Sequence, residues 1–179
     1  IKILVLGGSQ AAKVFAQELP QIFRKLKVSG LSIKVYQQCI KNQNDQLSHY
    51  YKQAGIEHEI FNFTDNIIDY YSKINLVITR SGASVLGELI NVNIPFIAIP
   101  LPTSADNHQY KNAEFYFKKG YGYLLKEKDI EKKLFSLIKT IFIDKSSIEK
   151  ILSNQRQYSD KDVYKNLNNF LKKIFNEKN

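Results

Sequence analysis

The chain holds no methionine and one cysteine, Cys39. A single thiol excludes an internal disulfide and fits a reducing compartment. It also leaves structural zinc without its usual ligands, and His49, His58 and His108 are spaced in no metal-binding pattern. Long apolar runs are lacking too. None approaches the roughly 18 residues that a bilayer span requires, and no signal-peptide pattern is visible. A sequence without an initiator that opens directly on the apolar run "IKILVLG" is expected to be a piece of a longer protein.

What is there is a globular composition of one domain's length. The 179 residues suffice for one well-buried core and leave little for a second. The net charge is +9, and +7 of it falls in residues 118–179. Such a tail suits RNA or an anionic membrane surface. It equally suits a solvated helical face, since acids interleave the lysines, as in "KEKDIEKK". No RNA-binding aromatic motif accompanies them.

Apolar runs alternate with amphipathic stretches. The spacing predicts strands over 1–7, 31–38, 58–63, 74–80, 95–100 and 120–125. Helices are predicted over 11–26, 43–54, 64–72, 83–92 and 106–118, with Thr64 and Asp65 capping the third. Residues 128–176 read as further helices, the last from Val163 to Ile174. Alternation of strand and helix predicts an α/β fold: a Rossmann-like parallel sheet of about six strands with helices on both faces. Ligands of such sheets bind outside the carboxyl ends of the strands. The loops after strands one, three, four and five are therefore the places for a site.

After the first strand comes "GGSQAA", Gly7 to Ala12. Glycines let the backbone turn sharply and a ligand come close. The free N–H groups of the following helix attract anions, and Ser9 can cap that helix or donate to a phosphate. The pattern is neither G-x-G-x-x-G nor a Walker loop, so a plain strand-to-helix turn competes. After the fourth strand, "TRSGASVLGELI" puts Ser81, Gly82 and Ala83 at a helix start. Leu86, Leu89 and Ile90 mark its buried side, and Ser81, Ser84 and Glu88 share another face. A Glu88 carboxylate can accept two hydrogen bonds from a ribose diol. A solvent-facing glutamate near the positive helix end is the alternative. After the fifth strand, "PLPTSADNHQYKNA" is a long polar loop. Asp106, Asn107, His108 and Gln109 sit at its helix start, within reach of sugar hydroxyls. The spacing supports no Ser-His-Asp nucleophile.

The motifs "GGSQAA", "TRSGASVLGEL" and "DNHQYKNA" stand in the order and strand context of the carboxyl-terminal half of the MurG family. The chain resembles that family over essentially its whole length. The resemblance implies that residues 1–179 are the donor-binding domain, the carboxyl-terminal half, of a GT-B glycosyltransferase. It implies transfer of GlcNAc, with inversion, from UDP-GlcNAc to the MurNAc 4-hydroxyl of lipid I, giving lipid II in peptidoglycan synthesis. By motif, Gly8, Ser9 and Gln10 would lie beside the donor, Ser9 near the phosphates. Thr64 matches the position whose backbone faces the uracil. Ala83, Ser84 and Val85 match the helix start against the diphosphate, and Glu88 matches the carboxylate on the ribose diol. His108 and Gln109 match the polar pair facing the GlcNAc hydroxyls.

The same resemblance implies no catalytic residue in this chain, the general base and the lipid I site belonging to an amino-terminal half. It implies no metal and no cofactor, UDP-GlcNAc being a substrate. The expected setting is the cytoplasmic face of the bacterial inner membrane, held peripherally by its anionic surface, with no nucleic acid partner. A terminal helix over residues 160–179 is expected to pack on the amino-terminal half. Two positions depart from the family: Ala11 stands where glycine is usual, and Val85 where threonine is common. The Ala11 methyl crowds the helix start, and Val85 leaves only a backbone N–H for the diphosphate.

Two other readings stay open: another GT-B enzyme using a different UDP-sugar, or a basic module for RNA or anionic lipid. The basic module predicts RNA or liposome binding that falls steeply between two salt concentrations and ignores UDP. The donor domain predicts UDP-GlcNAc binding and, for this chain alone, no transfer.

Overall fold

The computed structural model describes residues 1–158, with residues 9–12 described by their secondary structure alone. Its strands are β1 (Lys2–Leu6), β2 (Lys34–Gln38), β3 (Glu57–Phe61), β4 (Leu76–Thr79), β5 (Phe96–Ala98) and β6 (Tyr123–Leu124). Its helices are α1 (Gly8–Val28), α2 (Asn44–Gln53), α3 (Ile68–Tyr71), α4 (Ala83–Asn91), α5 (His108–Lys118), α6 (Ile130–Ile143) and α7 (Lys145–Gln157). The strands form one sheet in the order β3-β2-β1-β4-β5-β6, and every pairing is parallel. Parallel neighbours need long crossovers, and the helices between successive strands provide them. The strand order reverses between β1 and β4. At such a reversal the connections leave in opposite directions and a crevice opens at the carboxyl ends of the strands.

Burial on both faces follows from strand periodicity. Ile3 and Val5 of β1 point into a core shared with Phe15, Leu19, Phe23, Leu47, Leu134 and Ile138 of α1, α2 and α6. Leu4, between them, points the other way, to Leu86, Leu89 and Ile90 of α4 and Ala113 of α5. All three β1 side chains are fully buried, as a central parallel strand requires. Each such aliphatic side chain contributes roughly 1.5–3 kcal/mol of transfer free energy. The helix α7 is started by Asp144, whose carboxylate accepts from the Ser146 backbone N–H at 3.1 Å and from the hydroxyls of Ser146 and Ser147. Those bonds hold the Asp144 carboxyl below its usual range. Gln155 of α7 then donates to the backbone oxygens of Ile94 and Tyr121, locking the helix over the α4 side of the sheet.

The predicted six-stranded parallel sheet is present, with different element limits. The first helix begins at Gly8 rather than at residue 11, with Gly7 as its cap, so Ser9 lies inside the first turn and is not the cap. The second strand starts at Lys34, not residue 31. The third helix covers only Ile68–Tyr71. Thr64 does not cap it; its Oγ1 accepts from the Asn66 backbone N–H at 3.2 Å, a local turn that competes with helix. The predicted helix over 106–118 is a short 3-10 turn, Ala105–Asn107, followed by α5. Asp106 and Asn107 between them adopt φ of +48° and +55°, which Asp and Asn tolerate better than other non-glycine residues. The predicted helix from Val163 to Ile174 lies outside the described residues.

Gly122 packs against the ring of Phe96, a core residue of β5. A Cβ at Gly122 would fall inside the van der Waals shell of that ring. The Gly122→Ala variant is therefore expected to lose about 1–3 kcal/mol of stability. Thermal or urea unfolding checks this, and a variant as stable as the wild type would show that the ring has room to move.

Candidate functional site

The helices α1, α4 and α5 follow β1, β4 and β5, which are neighbours in the sheet. Their amino termini therefore converge on the crevice beside the strand reversal. None of the three has a side-chain cap or an acidic residue in its first turn. The helices that follow the outer strands differ. Asp45 stands in the first turn of α2, Asp69 in that of α3 and Glu131 in that of α6. Free backbone N–H groups with their aligned dipoles form a positive field. Carboxylates compensate that field at the sheet's edges, and no first-turn carboxylate does so at its centre. Asp106 stands just ahead of α5, in the exposed 3-10 turn that precedes it.

The predicted residues fall on this frame as follows. Gly8 opens α1 at φ +62° with open space where a Cβ would stand, so a side chain there is strained by backbone rather than by crowding. Ser9, Gln10 and Ala11 lie in the first turn of α1, where alanine is a good helix former. Ala83 and Ser84 are exposed at the α4 start, and Val85 is half-buried. Ser81 does not share the face of Ser84 and Glu88. It precedes the helix and is fully buried, its Oγ making no hydrogen bond among the described residues. His108 is exposed and donates from Nδ1 to the Ala105 carbonyl at 2.8 Å, fastening the 3-10 turn.

Gln109 stitches two loops together. Its Oε1 accepts from the backbone N–H of Ser81 at 3.3 Å and of Leu101 at 3.0 Å. Asn112, one turn on, donates to the Ser81 carbonyl at 3.1 Å. The amide nitrogen of Gln109 takes no part in these two bonds. Thr64 stands on the β3 side, two strands from β1. The link from there to α4 is Tyr71, whose hydroxyl donates to Glu88 Oε2 at 3.3 Å. Phe63, beside Thr64, is 75% exposed, an uncovered aromatic face at the rim.

A sequence model of the glycosyltransferase family 28 C-terminal domain matches residues 2–167. The chain belongs to this family. Among its relatives, an N-acetylglucosamine transferase of Pelagibacter ubique is 35% identical over 178 residues, 99% of this chain and 50% of the relative. That relative is named for transfer to N-acetylmuramyl-(pentapeptide) pyrophosphoryl-undecaprenol. A transferase of the same name from Rickettsia bellii is 34% identical over 87% of the chain and 46% of its own length. The family 28 domain here thus spans about half the length of the curated relatives it matches. In structure it is similar to Acinetobacter baumannii MurG, with a TM-score of 0.77 and 23% identity over 89% of this chain and 48% of that one, a likeness of fold. Among the described residues, no helix is long and apolar enough to cross a membrane.

Sequence reasoning missed four residues that hold the loops of the candidate site: Tyr71, Arg80, Asn112 and Glu127. Arg80 carried a signal, a charged residue at the end of an apolar strand whose neighbours must be buried. Glu127 carried none, standing in the mixed-charge run "KEKDIEKK".

Burial pushes the Tyr71 hydroxyl from 10 up to about 12, with the Glu88 charge and hydrogen bond acting in the same direction. A raised phenol pKa means that the contact stabilises the fold fully below pH 10 and is lost as the pH rises through about 12. Ultraviolet titration of the wild type against Tyr71→Phe should differ by one tyrosinate forming near pH 12. A difference centred near pH 10 would rule out the coupling.

Proposed function

We propose that this family 28 domain is the donor-binding half of an inverting glycosyltransferase that moves GlcNAc from UDP-GlcNAc to the MurNAc 4-hydroxyl of lipid I, forming lipid II. The observation that carries it is the convergence of three helix amino termini with no acid in their first turns, two of them flanking the strand reversal. A diphosphate suits that field. As the bond from the sugar to UDP breaks, negative charge gathers on the leaving diphosphate, and preorganised amide dipoles stabilise it there more than in the ground state. The backbone N–H groups at Gly8, Ser9, Gln10, Ala83, Ser84 and Val85 would serve this role. Glu88 would accept the ribose diol, already oriented by Tyr71. The Thr64 loop, with exposed Phe63, would meet the uracil, and His108 with the Gln109 amide nitrogen would meet the sugar.

The proposed reaction uses no cofactor. The general base and the lipid I site belong to an amino-terminal acceptor half, and the whole enzyme works peripherally at the cytoplasmic face of the bacterial inner membrane. The names of relatives from Pelagibacter ubique and Rickettsia bellii support this substrate pair.

Calorimetric titration of the chain with UDP-GlcNAc, UDP-Glc and UDP-GalNAc tests the proposal. The chain should bind UDP-GlcNAc most tightly. Glu88→Ala should weaken all three UDP-sugars by about tenfold, the value of one charge-assisted hydrogen bond. Gln109→Ala should instead reduce the preference among sugars. Absence of UDP-GlcNAc binding, or equal binding by Glu88→Ala, would overturn the assignment.

A further inference from the structure

Arg80 is a buried cation that no substrate role accounts for. It directly follows β4, is 6% exposed, and stacks its guanidinium 4.7 Å from the centre of the Phe15 ring. Its Nη1 donates to the carbonyl oxygens of Ile99 and Pro100, both at 3.2 Å. Its Nη2 pairs with the Glu127 carboxylate, whose side chain is about a quarter exposed. One planar group thus holds three pieces of chain: the end of β4, the first residues after β5, and the turn that leads from β6 into α6. A buried cation is costly without its partners, so the arrangement holds only while Glu127 and both carbonyls are in place.

The loop held in this way carries the sugar-facing end of the proposed site. Ile99 and Pro100 lead directly into Leu101, whose N–H donates to Gln109 Oε1. The same oxygen accepts from Ser81, the residue after Arg80. Arg80 and Gln109 therefore clamp one loop from two sides, the first through its carbonyls and the second through its N–H. By contrast Glu88 shares no hydrogen bond with Arg80 or Glu127 among the described residues and would face the proposed ribose, and Arg80 meets α1 at Phe15, beyond the first turn that would face the phosphates.

We propose that Arg80 and Glu127 are positioning residues for the sugar end of the donor site: through the carbonyls of Ile99 and Pro100 they set where Gln109 stands relative to the α4 amino terminus. This rests on the donor-binding function proposed above. A positioning role predicts loss of the affinity that the sugar adds, with affinity for the nucleotide retained. A purely structural role would lower stability and leave the balance between UDP-GlcNAc and UDP unchanged.

The test is calorimetric titration of the chain and its variants with UDP and with UDP-GlcNAc, each below its own melting temperature. Glu127→Ala should bind UDP as the wild type does and UDP-GlcNAc about tenfold more weakly, the value of about one hydrogen bond to the sugar. Glu127→Gln keeps an acceptor oxygen and should recover most of that loss. Arg80→Lys keeps the charge but cannot span two carbonyls and a carboxylate, so it should behave like Glu127→Ala. If Glu127→Ala does not fold, Glu127→Gln decides, with a smaller narrowing of the same gap expected. An unchanged gap, an equal loss for both ligands, or wild-type affinities for UDP and UDP-GlcNAc that do not differ would each overturn the positioning role. Failure of the wild type to bind UDP would instead overturn the donor-binding function itself.

Discussion

Burial of the central strands on both faces is the constraint from which the site follows. The β1 side chains Ile3, Leu4 and Val5 alternate between two cores and all lie out of water. A strand so placed can be joined to its parallel neighbours only by helices that cross the faces. The chain first builds outward from β1 to β2 and β3, then returns to set β4 on the other side. That return places the starts of α1 and α4 beside each other at the carboxyl ends of the strands. The crevice is thus a consequence of covering both faces of one sheet.

Electrostatics then separates the centre of the sheet from its edges. The helices α2, α3 and α6 carry Asp45, Asp69 and Glu131 in their first turns, which neutralise local dipoles. The helices α1, α4 and α5 carry no acid there. Such termini leave helix stability unrealised and leave a field for an anion to satisfy. Arg80 adds a positive charge nearby, but Glu127 pairs with it below the loops. Its work is mechanical, and the amides remain the groups that face the crevice. Gly82, the residue ahead of α4, has no side chain with which to cap the first N–H groups of that helix.

Much of this was legible in the residues. The apolar runs located all six strands; β1, β2, β4 and β5 are buried on both faces and admit little else, while the edge strands β3 and β6 are only partly buried and were located by their alternation with helical stretches. Helix limits were less legible. Gly8 starts α1 three residues before the predicted residue 11, because helix can begin ahead of the apolar spacing that reveals it. Thr64 and Asp65 look like a cap, but Thr64 closes its own turn with Asn66. The pair Asp106–Asn107 breaks α5 through two left-handed residues that no spacing rule announces. Ser81 belongs by spacing to the face of Ser84 and Glu88, yet the turn before α4 buries it.

By itself the sequence determined the fold class, the order of elements and the loops that could hold a ligand. Each depends on local periodicity and on glycine, serine and acidic residues at known offsets from a strand. Tertiary structure alone decided how those loops are held. Gln109 bridges Ser81 and Leu101, Tyr71 reaches Glu88 from a different crossover, and Arg80 meets Glu127 across 47 positions. Side chains so far apart in sequence share no pattern. They meet because one sheet brings the ends of its strands to a common edge, where buried polar groups must find partners or remain costly.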